Sequence, residues 1–170
     1  MSKQILLTQG KFALVSDKDF EWLNQWKWFA HKDPKRARIS YYAVRNSSTF
    51  YVDGKAKRAM LYMGREILGL NYGDEREVDY INHDTLDHRR KNIRICTNQE
   101  NCRNKRGDIT STSKFKGVSW KEEYKRWIAQ IRIGGRGVHL GYFKDEEEAA
   151  LAYNQMAIKH FGEFAYINPI

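Results

Sequence analysis

Short stretches of alternating apolar and polar positions fill residues 1–70, a polar, charge-dense stretch follows over 71–106, and alternation resumes at 115. Gln4–Thr8 and Lys11–Val15 read as strands around a Gln9-Gly10 turn. Asp17–Phe29 reads as a short helix whose aromatic face, Phe20, Trp22, Trp26 and Phe29, belongs to the core. Tyr41–Arg45 and Phe50–Val52 read as strands, Asp53-Gly54 as a hairpin turn, and Lys57–Tyr62 as the return strand. A short helix begins over Met63–Leu70 and ends near Gly69.

Residues 107–114, Gly-Asp-Ile-Thr-Ser-Thr-Ser-Lys, have no apolar period and read as a linker. Beyond it the pattern predicts strands over Lys116–Trp120, Arg126–Ile133 and Gly137–Phe143, with a Gly134-Gly135 turn between the last two. A helix over Asp145–His160 follows. Asp145 is its N-cap, Glu146, Glu147 and Glu148 suit the positive end of its dipole, and Gly162 is its C-cap. Ala149, Ala152, Tyr153, Met156 and Ala157 make one apolar stripe at helical spacing. The fold class is therefore α+β: a first domain over 1–106, a linker over 107–114, and over 115–170 a three-stranded antiparallel sheet packed on one helix.

Charge sharpens this picture. The formal net charge is +9 and the pI about 9.5, which implies a polyanionic partner. Arg89 to Arg106 holds seven basic residues (Arg89, Arg90, Lys91, Arg94, Arg103, Lys105, Arg106) against one acid, Glu100. Nucleic acid fits better than membrane, because no basic amphipathic helix is evident and no apolar run approaches the roughly 18 residues of a span. The first residues lack the pattern of a signal peptide, and Cys96 and Cys102 lack metal spacing, so reduced thiols in a cytoplasm are expected.

Three phrases carry the chemistry: Val78-Asp79-Tyr80-Ile81-Asn82-His83-Asp84, Asp87-His88-Arg89-Arg90-Lys91-Asn92-Ile93-Arg94, and Asn98 to Asn104. Together they resemble the HNH nuclease motif, most closely that of phage and bacterial homing endonucleases. The resemblance implies two short strands and a helix (core motif 77–106) around one divalent metal, Mg²⁺ or Mn²⁺. Asp79 takes the metal-binding carboxylate and Asn101 the helix ligand; Asn82, His83, His88 and Asn92 support the loop. Hard oxygen donors of this kind suit Mg²⁺, which keeps waters and takes phosphate oxygens. Tyr80 stands where the family has its general-base histidine. A phenol with a pKa near 10 is a poor proton acceptor at neutral pH, so cleavage is expected to be slow or lost. His88 stands where the loop usually has Asn, and Gly64 where relatives tend to have His. His83 and His88 are the candidate substitute bases.

Lys114–Trp120, Trp127–Arg132, Val138–Phe143, Glu148–Asn154 and Ile167-Asn168-Pro169 resemble the APETALA2-type domain of plant ethylene-response factors, over nearly all of 114–170. The resemblance implies a sheet face on the DNA major groove. The positions carried over are Lys116, Ser119, Lys121, Gln130, Arg132 and His139, with Arg126 and Arg136 as neighbouring cations. Gln and Arg read adenine and guanine edges bidentately. The expectation is a monomeric site-specific endonuclease on double-stranded DNA in a bacterial or phage-infected cell, without a membrane or protein partner. The rivals are a non-cleaving DNA-binding protein derived from such a nuclease, and a regulator working through the last domain alone. Lys32, Lys35, Arg36 and Arg38 are further candidates for DNA contact.

Overall fold

The computed structural model describes residues 1–34, 39–108 and 110–170 and divides into two compact units, Met1–Asn98 and Gln99–Ile170. The first unit runs β1 (Ser2–Leu6), β2 (Phe12–Ser16), α1 (Asp17–Asn24), β3 (Phe29–Lys32), β4 (Tyr41–Asn46), β5 (Phe50–Val52), β6 (Lys55–Lys57), β7 (Met60–Tyr62), α2 (Met63–Ile67), β8 (Glu77–Tyr80), β9 (Asp87–His88) and β10 (Ile93–Cys96). Most of these are short and pair locally. β1 and β2 form an antiparallel hairpin to which β9 adds in parallel, setting Leu14 opposite Asp87 and Val15 opposite His88. β3, β4 and β7 form a second sheet, β8 and β10 a third, and β5 and β6 a separate ribbon. Ile5, Ala13, Val15, Leu23, Trp28, Met63, Tyr80 and Ile93 meet in one core.

Two elements differ from the sequence reading. The first helix ends at Asn24, and Phe29 opens β3. Trp28, not Trp26, is the core aromatic; its indole Nε1 donates to the Leu23 carbonyl at 2.9 Å and so satisfies a group at the helix end. Trp26 is exposed and lies beneath the Arg45 guanidinium, 4.3 Å from ring centroid to Cζ. The return strand breaks into β6 and β7 because Ala59 turns inward. Ser47 holds it there: the Ser47 amide donates to the Ala59 carbonyl at 2.8 Å, and the Ala59 amide donates to Ser47 Oγ at 2.9 Å.

The second unit holds nearly all of α3 (Asn98–Asn104), then β11 (Val118–Lys121), β12 (Arg126–Ile133), β13 (Arg136–Phe143) and α4 (Glu146–Phe161). The sheet order is β11-β12-β13, antiparallel throughout. Asp145 caps α4, its Oδ1 accepting the Glu147 and Glu148 amides at 2.8 and 3.1 Å. Alternation along β12 sends Ala129 and Ile131 inward, where they meet Ala149, Ala150, Tyr153 and Ala157 of α4. At Gly117, φ is +76°, and an added Cβ would lie 2.2 Å from the Tyr153 ring and 2.6 Å from the Gln130 carbonyl, so the helix packs directly on bare backbone.

The expected linker is fastened within this unit. Ser113 Oγ donates to Glu146 at 2.6 Å, the Trp120 amide donates to Thr112 Oγ1 at 2.9 Å, and Ser111 Oγ donates to the Val118 carbonyl at 3.3 Å. Its hydroxyls bond to the sheet and α4, and the division between units falls at 98/99 instead. Near the other end, Asn168 is buried: it accepts the Lys116 amide, donates to the Lys116 carbonyl, and exchanges two hydrogen bonds with Asn154.

Candidate functional site

Asp79 sits on β8 opposite Arg94 of β10, and its side chain is nearly out of water. Arg94 donates to Asp79 Oδ2 from Nε at 2.8 Å and from a terminal nitrogen at 2.6 Å. A metal ion at this carboxylate therefore competes with a guanidinium. The loop after β8 is closed by side chains. The Asn82 amide donates to Asn92 Oδ1 at 3.0 Å, Asn92 Nδ2 to the Asp87 carbonyl at 2.8 Å, and Asn82 Nδ2 to Asp87 Oδ2 at 2.9 Å. Asp84 takes part in the same loop, its Oδ1 accepting the Leu86 amide. His83 occupies a left-handed turn position, φ 65°, its amide donating to the Tyr80 carbonyl. Asn82 and Asn92 thus hold the loop, and Asp87, absent from the sequence-derived set, holds it with them.

Tyr80, His88 and Gly64 converge. The Tyr80 hydroxyl lies 3.3 Å from His88 Nδ1, and both side chains are buried. A Cβ built on Gly64 would stand 2.6 Å from the Tyr80 oxygen and 3.5 Å from His88 Nδ1. These are the three positions at which the sequence departs from the HNH pattern, and in the fold they are neighbours. Burial pushes the His88 imidazole down to about 3, only weakly opposed by Asp87. His88 is therefore neutral, and its Nε2 has no hydrogen-bond partner among the described residues. A neutral imidazole sealed in the core is a poor substitute base.

Part of the basic run is internal. Arg89 makes two bonds to buried Asp87 at 2.8 and 2.6 Å, which with the Arg89 amide hold the Asp87 carboxyl below its ordinary range against the effect of burial. Arg90 grips buried Asp19 at 2.8 Å through both Nε and a terminal nitrogen. With Arg94 on Asp79, three of the seven cations neutralise buried carboxylates, at sequence separations of 2, 15 and 71 residues. Lys91, Lys105 and Arg106 are exposed, and Arg103 lies over the Phe161 ring at 4.8 Å. Lys32 is exposed; Lys35, Arg36 and Arg38 lie outside the described residues. Asn101 belongs to α3 in the second unit.

The outward face of β11-β12-β13 carries Ser119, Lys121, Arg126, Gln130, Arg132 and His139. An irregularity of pairing after Ala129, with Gln130 opposite His139 and Ala129 opposite Gly141, lets both His139 and Tyr142 face outward. Their rings lie 4.7 Å apart, and Tyr124 meets Tyr142 at 5.1 Å. Sequence reasoning missed these two exposed tyrosines, because strict alternation puts Tyr142 on the face opposite His139. Arg136 pairs with Ile133, whose side chain packs toward α4, so it lies off this outward set. Lys116 is placed differently from expectation. Its ammonium donates to the carbonyls of Cys102, Arg103 and Lys105 at 3.3, 2.6 and 2.6 Å, closing the end of α3, and burial lowers its pKa to about 8.

No family model matches the chain. It is 37% identical over 93 residues to an uncharacterized HNH endonuclease of Acanthamoeba polyphaga mimivirus, covering 55% of this chain and 47% of that protein. It is 38% identical over 68 residues to dehydration-responsive element-binding protein 2D of Arabidopsis thaliana, covering 39% of this chain and 32% of that one. A third relative, an AP2-like ethylene-responsive transcription factor of the same plant, is 35% identical over 66 residues, 14% of its length. The chain thus spans less than half the length of these curated relatives. Both resemblances seen in the sequence recur among them. Among the described residues no helix is long and apolar enough to cross a membrane.

Proposed function

We propose that this chain is a site-specific endonuclease of the homing type on double-stranded DNA, hydrolysing phosphodiester bonds with one divalent metal, Mg²⁺ or Mn²⁺. The observation that carries the reading is the loop closed by Asn82, Asp87 and Asn92 beside a buried Asp79, within the stretch whose sequence resembles the HNH motif. The mimivirus relative's name supports nuclease chemistry and the plant relatives' names support DNA binding.

The donors proposed for the metal are hard oxygen ligands. Asp79 offers a buried carboxylate, and the role of Asn101 as second ligand rests on the resemblance alone. No cluster of three or more His, Cys, Asp or Glu side chains occurs among the described residues, so a metal here leaves most of its coordination to water and phosphate, as Mg²⁺ prefers. When bound, the metal supplies charge relief for the phosphate and its leaving oxygen. Arg94 stands beside Asp79, and the exposed residues Lys121, Gln130, Arg132 and His139 supply the reading face.

A second reading, a DNA-binding protein that no longer cuts, is favoured by the Tyr80–His88 pair. The base position holds a buried phenol against a neutral imidazole, and neither takes a proton readily at neutral pH. The test is nicking of supercoiled plasmid with Mg²⁺ or Mn²⁺, with and without chelator, by the parent and Asp79→Ala. Slow, metal-dependent nicking abolished by Asp79→Ala supports the endonuclease. Tight binding with no nicking supports the second reading.

A further inference from the structure

We propose that the β5–β6 ribbon is an additional contact to duplex DNA, seated in the major groove through Lys55, Lys57 and Arg58; this rests on the reading of the chain as a protein of double-stranded DNA. The ribbon is a sheet of its own: Phe50 pairs with Lys57, Tyr51 with Ala56 and Val52 with Lys55, and among the described residues no third strand joins them. Asp53 and Gly54 have φ of 52° and 72°, the two left-handed residues of a tight two-residue hairpin turn. Its foot is fixed by the double hydrogen bond between Ser47 and Ala59 and by Arg58 Nε donating to Thr49 Oγ1 at 3.1 Å. Every residue from Asp53 to Arg58 is exposed.

Lys55 and Lys57 are two apart on one strand and so project from one face, and Arg58 follows at once. Three cations stand against one acid, Asp53, between positions 53 and 58. A protein packs no such element for its own stability: the ribbon's cations cover no core, and an isolated two-stranded hairpin is marginal in water. The major groove is about 12 Å wide and 8.5 Å deep and admits a two-stranded ribbon. Strands of three residues rise about 10 Å, which matches that depth. Cations on the rim of such a ribbon fall near the phosphates.

The experiment is the salt dependence of duplex binding by the full chain, parent against Lys55→Ala/Lys57→Ala/Arg58→Ala. Each phosphate contact adds about 0.9 to the slope of log affinity against log salt, so the triple variant is expected to lose about 1–3 from the parent slope. The double variant Lys55→Ala/Lys57→Ala, which keeps the Arg58–Thr49 bond, should melt with the parent, since both lysines are exposed. A second readout is acylation of Lys55 and Lys57, followed by mass spectrometry, which duplex DNA should suppress in the parent. A parent that binds duplex with a steep slope, a variant with the same slope, and lysines that stay reactive would together overturn the ribbon contact. A parent that fails to bind duplex would overturn instead the reading on which it rests.

Discussion

The Tyr80 hydroxyl stands 3.3 Å from Nδ1 of His88, and the space it occupies is the space a side chain at position 64 would need. Tyr80 is therefore one part of a packed set of three residues. Gly64→Ala should destabilise the first unit by about 1–3 kcal/mol through overpacking. The double change Gly64→Ala/Tyr80→Phe removes the oxygen that the new methyl meets and should recover a good part of the loss. Urea denaturation of the four chains of the cycle measures the coupling; strict additivity would show that the two positions do not touch.

His88 makes stability depend on acid. Its folded-state pKa is about 3, below the ordinary 6.5, so the unfolded chain binds the proton more readily. Its contribution is fully present above about pH 6.5 and is lost as pH falls toward 3, with a limiting slope of about 1.4 kcal/mol per pH unit. Asp87, lowered by its bonds to Arg89, adds loss in the same direction at lower pH. Between pH 6 and 4, where the histidine dominates, His88→Gln should flatten the slope; a variant as acid-sensitive as the parent would contradict the assignment.

Arg94 balances a buried carboxylate, and removing it should leave Asp79 short of charge compensation. Arg94→Ala is expected to cost about 3–5 kcal/mol in chelator. Millimolar Mg²⁺ should then raise the melting temperature of Arg94→Ala more than that of the parent, because the cation takes over the compensation. Equal shifts in the two proteins would argue against a metal at Asp79.

Lys116 and Arg132 should separate cleanly. Lys116 closes the end of α3 with three carbonyl bonds, so Lys116→Ala should lower the stability of the second unit. Arg132 is exposed on the outward face, so Arg132→Ala should leave the melting temperature alone and cost about 1–3 kcal/mol of discrimination at one base pair. Melting curves and competition binding with single-base variants of a selected site distinguish the two.

The second unit was largely legible. Arg126–Ile133 was bounded correctly because Ala129 and Ile131 alternate with Gln130 and Arg132, and Asp145 announced α4 through its cap. Alternation failed only at the irregularity beside Gly141, where one residue of slippage brought Tyr142 outward. In the first unit a helical period extended to Phe29 points to Trp26, whereas the helix ends at Asn24 and Trp28 enters the core. The roles of Arg89, Arg90 and Arg94 were hidden because a charge run shows excess but not pairing: Asp19 lies 71 residues from Arg90 in sequence. Gly64, Tyr80 and His88 were visible as three separate departures from a motif. Their contact depends on how α2, β8 and β9 pack, which no local pattern encodes.

The most direct test of the account compares the cleavage rates of the parent, Tyr80→His and Tyr80→His/Asp79→Ala on supercoiled plasmid in Mg²⁺ or Mn²⁺, at protein concentrations that saturate binding. A positioned general base is worth about 10²–10⁴-fold. The account predicts slow nicking by the parent, acceleration of that order by Tyr80→His, and no cleavage by the double variant, with DNA affinity nearly constant. A parent already as fast as Tyr80→His, or a Tyr80→His protein that binds DNA and metal yet gains nothing, would contradict it.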